Sequence, residues 1–140
     1  MRTPIPFLVC VLSSFAGGVQ AQTVSVDDQT IFIEGHVFNK RTGVPISGAM
    51  VVLPDPCFIC ASVSVPVELV TDANGFFSTA YQPTPPSAGF TIPITASCVG
   101  RRGVYAGETD AILRPGTIRR DIYLSAPERL SRCQSTEVPR

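Results

Sequence analysis

The sequence predicts an all-β domain, a seven-stranded two-sheet Greek-key sandwich. Three observations lead there. Short runs alternate apolar and polar residues, clusters of Gly, Pro, Asn and Asp separate them, and no stretch of ten or more residues keeps a helical period without a breaker. Strands that are each apolar on one face need a second sheet to cover that face, and two packed sheets do so economically.

The elements follow in order. Thr30 to Phe38 reads as the first strand, with Ile31, Ile33 and Val37 on one face and Glu34 and His36 on the other. Asn39 to Gly43 turns the chain, and Ala49 to Leu53 is a second strand with Ala49, Val51 and Leu53 on one side. An insertion from Pro54 to Pro66 precedes a third strand, Val67 to Thr71. Asp72-Ala73-Asn74-Gly75 makes a tight turn into Phe76 to Tyr81, and Gln82 to Gly89, with three prolines, is a loop. Phe90 to Cys98 sets Ile92, Ile94, Ala96 and Cys98 against Thr91, Thr95 and Ser97. Its Pro93 cannot donate to a ladder, which implies an open edge or a bulge there. Val104 to Leu113 is the sixth strand and Thr117 to Leu124 the seventh, with Ile118, Ile122 and Leu124 inward. Residues 125–140 carry little apolar content and read as an irregular tail.

The first segment has a different character. Arg2 precedes an apolar run from Ile5 to Phe15, and Val19-Gln20-Ala21 places small residues where a signal peptidase cuts, so residues 1–21 read as a secretory signal cleaved after Ala21. The run is far shorter than the roughly 20 residues a bilayer core requires, so a membrane span is disfavoured, as is a lipid anchor at Cys10, which bulky Val9 precedes. Cleavage leaves about 120 residues, the size of one domain: a short lead at 22–29, the sandwich at 30–124 and the tail. The chain holds 11 Lys+Arg against 11 Asp+Glu, a balance that gives no bulk attraction for nucleic acid or an anionic membrane. Four cysteines remain after cleavage: Cys57, Cys60, Cys98 and Cys133. An even set in an exported domain reads as two disulfides with three connectivities open; Cys57–Cys60 and Cys98–Cys133 is the preferred one.

Residues Gly35 to Val51 (Gly35-His36-Val37, then Thr42-Gly43, then Pro45-Ile46-Ser47-Gly48-Ala49-Met50-Val51) resemble the opening of carboxypeptidase regulatory-like domains. Thr71-Asp72-Ala73-Asn74-Gly75-Phe76-Phe77 is similar to that family's Thr-Asp-x-x-Gly-x-Phe turn, and Arg120 to Leu124 to its closing strand. The resemblance covers roughly Ile31 to Leu124 and implies a prealbumin-like sandwich. It implies structural roles for Gly43, Gly48, Asp72 and Gly75: glycines where side-chain-bearing residues are strained, and an aspartate that caps its own turn. The insertion and the tail depart from the family pattern.

Catalytic readings fare poorly. Cys57-Phe58-Ile59-Cys60 could be a redox dithiol or half a zinc site, but it sits in a Pro-flanked loop of an all-β chain, and further zinc ligands could come only from Cys98, Cys133 and His36. His36 is the only histidine, and an acid–base pair with Glu34 is conceivable. Relatives of transthyretin type that act as hydrolases rely on several histidines and an arginine, and dioxygenases on this general sandwich rely on two His and two Tyr. One histidine meets neither requirement. Asp72 to Gly75 lacks the remaining ligands of a calcium loop, and Glu108 with Asp110 reads as a solvated face. The expectation is therefore no enzyme, no cofactor and no metal. The chain is expected to be periplasmic or secreted, as an accessory or adhesion module binding another envelope or extracellular protein. A carbohydrate-binding module, using Phe58, Tyr81, Tyr105 and Tyr123 in a chain without Trp, is the alternative; a small hydrolase ranks below it.

Overall fold

A computed structural model describes residues 30–60, 63–126 and 129–135. The segment read as a signal, its expected cleavage point at Ala21 and the lead at 22–29 lie outside the described residues. Eight strands form: β1 (Ile31–Asn39), β2 (Met50–Leu53), β3 (Val67–Val70), β4 (Phe76–Tyr81), β5 (Thr91–Val99), β6 (Val104–Ile112), β7 (Gly116–Arg119) and β8 (Ile122–Leu124). They make two four-stranded sheets. One has the order β4-β1-β7, with β8 also on β1; the other runs β3-β2-β5-β6. Alternation decides what is buried: Ile31, Ile33 and Val37 from β1 meet Val51, Leu53, Ile92, Ile94 and Ala96 of the facing sheet, all nearly or wholly inaccessible. Among the described residues there is no helix, and so none long and apolar enough to cross a membrane.

The count of eight corrects the expected seven, because the stretch read as one strand, Thr117 to Leu124, is two. β1 pairs with β7 through Glu34↔Arg119 and with β8 from Val37↔Ile122, at one constant register. Between them the backbone of Arg120 closes onto Gly35, where an added Cβ would lie 1.7 Å from the Arg120 carbonyl oxygen. The Asp121 carboxylate, rather than a carbonyl, then accepts the His36 amide at 3.0 Å. A side chain replaces one rung of the ladder, and the strand breaks there. These pairings are also parallel, whereas the other strand pairs of the two sheets are antiparallel. β6 finishes at the end of the sandwich where β1 begins, so a strand following it directly must run with β1.

Pro93 sits where β2 has run out. The β2–β5 ladder ends at Val52↔Thr95, so only β6 flanks Pro93, and its missing N–H breaks no rung on the β2 side. At the turn end, Gly43, Gly48 and Gly75 all have positive φ, and the Asp72 carboxylate accepts the amides of Asn74 (2.8 Å) and Phe76 (3.0 Å). At the opposite end Tyr81, expected among the exposed aromatics, is 1% exposed. It shares the inward face of β4 with Phe77, and its hydroxyl donates to the Pro54 carbonyl at 2.9 Å. Burial, and secondarily the charge of Asp55, push its pKa up to about 12.

Two predictions follow from this packing. Gly35→Ala should destabilise the fold by about 3 kcal/mol or more, since backbone must move to admit the methyl; a denaturation midpoint within error of wild type would refute the close approach. Tyr81→Phe should cost about 1 kcal/mol at neutral pH through the lost hydrogen bond. An unfolded tyrosine ionises near pH 10, so between that pH and about 12 the folded chain keeps a proton the unfolded chain has released. Wild-type stability therefore falls with rising pH across that window while the variant lacks this term. Parallel denaturation series should show the gap between the two proteins shrinking from pH 10 upward.

Candidate functional site: a clamped apolar tip

The end of the sandwich at which β1 starts is built by the β2–β3 insertion and the loop before β5. The structure joins Cys57 to Cys60, with Cα atoms 5.5 Å apart, and the Cys60 amide lies 3.4 Å from the Cys57 carbonyl, so the insertion begins with a tight cross-linked turn. That turn docks on the next loop: the Phe58 amide donates to the Thr84 carbonyl and the Thr84 amide to the Pro56 carbonyl, both at 2.8 Å. The other end of the insertion is tied back by Asp55, whose two carboxylate oxygens accept the Cys57 and Val65 amides at 2.8 Å each. Those amides, Val65 first and Cys57 second, hold the carboxyl below the usual carboxylate range. The folded pKa is depressed, so this contribution is present above about pH 4 and fades only as pH falls through the lower folded value.

The clamps expose apolar surface. Phe58 leans on the core and stacks its ring on Phe90, centroids 6.1 Å apart and planes within 5°. Phe90 itself is 58% exposed, and Ile59, at the apex of the disulfide turn, is 69% exposed. Val63 and Val65 of the insertion are exposed as well. Both thiols are spent in the bond, so this form of the turn has neither a redox dithiol nor free zinc ligands. Among the described residues no three His, Cys, Asp or Glu side chains converge as a metal site.

Other residues singled out in the sequence lie elsewhere. His36 is not the solvated side chain a lone surface histidine suggests. On the outer face of the β1 sheet its ring sits beside Phe38 and Phe76 (5.5 and 5.3 Å between centroids), and Phe38 in turn stacks on Tyr123. The carboxylate it approaches is Asp121, with 3.8 Å between Nδ1 and Oδ1, and not Glu34, with which a pair was conceivable. Glu108 and Asp110 are exposed on the outer face of β6. Cys98 is bonded to Cys133, Cα atoms 5.2 Å apart, at the turn end. The Phe58–Phe90 stack was not legible in advance, because 32 positions separate partners that only the folded loops bring together.

No protein-family model matches the chain, and no curated protein matches it in sequence. Solved structures resemble it at low identity. The dioxygenase domain of a dioxygenase carbohydrate-binding protein fusion from the cellulolytic bacterium Streptomyces sp. SirexAA-E is 14% identical, with 69% of this chain and 79% of that one covered, at a TM-score of 0.48. The major pilin subunit BcpA of Bacillus cereus is 19% identical at a TM-score of 0.45; 69% of this chain is covered but only 30% of the pilin. The 5-hydroxyisourate hydrolase of Klebsiella pneumoniae is 18% identical, with 68% and 86% covered, at a TM-score of 0.40. Likeness at this level carries no argument about activity or partners; the two-sheet sandwich stands on the strand pairing itself.

Proposed function

We propose that the chain is an exported, non-catalytic accessory or adhesion module of carboxypeptidase regulatory-like type, which binds another protein at the cell envelope or outside the cell through its clamped apolar tip. The observation that carries this reading is Ile59, 69% exposed on a disulfide-closed turn beside the Phe58–Phe90 stack. An exposed apolar group held on a rigid backbone loses little entropy on docking, and a few anchor side chains that fill partner pockets carry most of the energy of a protein–protein contact. Two disulfides suit an oxidising compartment, and the leader at residues 1–21 supplies the route to one.

A specific observation also favours a second reading, carbohydrate binding. Phe76, His36, Phe38 and Tyr123 form a row on the outer face of the β1 sheet, and Tyr123 is 53% exposed. The rings of that row lie against one another, which leaves less open ring face for a sugar than the tip leaves for a protein.

The test is capture from an envelope extract by the disulfide-bonded protein. Wild type should recover a specific protein, and Ile59→Asp should lower its recovery by about tenfold or more while the melting temperature stays within about 2 °C. Recovery of nothing specific, together with turnover in a hydrolase screen, would overturn the reading. Glycan-array binding lost in Tyr123→Ala and kept in Ile59→Asp would establish the second reading in its place.

A further inference from the structure

The opposite end of the sandwich carries concave surfaces among the described residues, and their chemistry differs from that of the tip. We propose that this turn end carries a second docking site, a basic cleft joined to an apolar groove, which takes an extended acidic peptide segment of a partner protein. The proposal rests on the reading of the chain as a protein-binding module but uses none of the tip residues.

The site begins with how residues 129–135 are held. Leu130 is buried, and its carbonyl accepts the Asn39 side-chain amide at 3.2 Å. The Ser47 amide donates to the Ser131 carbonyl, the Cys133 amide to the Ser47 carbonyl, and the Gln134 amide to the Val99 carbonyl, at 2.7 to 2.9 Å. With the Cys98–Cys133 bond added, this segment is fixed along its length. Arg129 and Arg132 project from it, and Arg101 faces them from the β5–β6 turn across a cleft of about 330 Å³. The three side chains are exposed, and none is ion-paired among the described residues. Lys40, Arg41 and Arg102 stand in the turns at the same end. The described carboxylate there, Asp72, already accepts two amides of its own turn. Glu128 and Glu137 belong to this stretch of sequence and lie outside the described residues.

Guanidinium forks match carboxylates in a two-point geometry, so the cleft suits carboxylate groups. The neighbouring groove, about 590 Å³, shares Arg132 and Gln134 with the cleft and has Met50, Val70 and Val99 of the outer sheet face along it. A ligand filling both presents carboxylate and aliphatic groups side by side, as an extended peptide of alternating acidic and apolar residues does. Neither lining includes an aromatic ring, so a sugar has nothing to stack on, and a small free anion would leave the groove empty.

Fluorescence anisotropy on the disulfide-bonded protein tests this with three probes: a labelled Leu-Glu-Val-Asp-Val-Glu-Leu peptide, its Gln/Asn counterpart, and an oligogalacturonate of equal charge. The acidic peptide should bind, with the amide peptide and the oligogalacturonate each about tenfold weaker or worse. Binding should weaken as salt shortens the screening length. The Arg101→Glu/Arg132→Glu variant, whose exposed positions leave the core intact, should lose at least about tenfold with an unchanged melting temperature, and Ile59→Asp should bind as wild type does. Equal binding of the amide peptide, insensitivity to the charge reversal, or oligogalacturonate binding as tightly as the peptide would each overturn the proposal. Because Ile59→Asp reports on the tip and the arginine variant on the cleft, failure of one site is distinguishable from failure of the other.

Discussion

The fold depends on how closely the chain can approach β1. This strand is bonded along both edges, to β4 on one side and to β7 and then β8 on the other. Gly35 lets the Arg120 backbone come within a distance that no Cβ tolerates. That approach breaks the last strand in two, brings Asp121 onto the His36 amide, and turns the Arg120 side chain to the opposite sheet, where its Nε donates to the Asp110 carbonyl of β6 at 3.1 Å. An unpaired edge strand invites unwanted pairing, and here an arginine occupies one of its acceptors. Gly107 of β6 meets β8 in the same way, an added Cβ lying 2.4 Å from the Tyr123 carbonyl oxygen. Two glycines in facing sheets thus bring this side of the sandwich together.

The ends of the sandwich obey a different constraint, which is that backbone leaving a sheet must still find partners. Asn39, fully buried at the end of β1, answers it for the turn end. Its side-chain oxygen lies 2.9 Å from the Arg41 amide and 3.4 Å from that of Thr42, and its side-chain nitrogen donates to Leu130, so one residue ties the β1–β2 turn to the C-terminal segment. Thr71, just after β3, does similar work for the β1–β2 connection, accepting the Ala49 amide and donating to the Ile46 carbonyl. At the tip Asp55 and the Tyr81 hydroxyl fill these roles. Each end is therefore held by polar groups from short turns, and the arginines and apolar side chains they carry stand on fixed backbone.

Much of this was written in the sequence at the level of faces. Period-two alternation identified the inward residues of β1 and β5, and the breakers located the turns. Tyr81 was misjudged because its ring was weighed as an exposed aromatic, although alternation with Phe77 places it inward. The break at Arg120–Asp121 was not legible, since it comes from Gly35, 85 positions earlier in the chain, and a strand's own composition says nothing of what presses against it. The arginine cleft was hidden for the same reason: Arg101 lies 28 positions before Arg129 in the sequence, and β5 and the C-terminal segment bring it to the cleft that Arg129 and Arg132 also line. Local pattern reports burial and turns; it does not report which distant segments share an end.

The two cross-links show why rigidity at each end matters in its own way. Cys98–Cys133 spans 35 positions and Cys57–Cys60 only 3. On the chain-entropy account the first removes about 4 kcal/mol of unfolded-state freedom and the second about 2. The long link therefore contributes to the fold at large, and it does so by pinning the segment that bears two of the cleft arginines. The short one adds less to global stability and sits at the rim of the core, which it meets through Phe58, under an exposed isoleucine. Its effect falls on the native state, where it fixes the shape of an apolar turn that would otherwise collapse or flex. A cross-link of so short a span shapes exposed surface more than it holds the core.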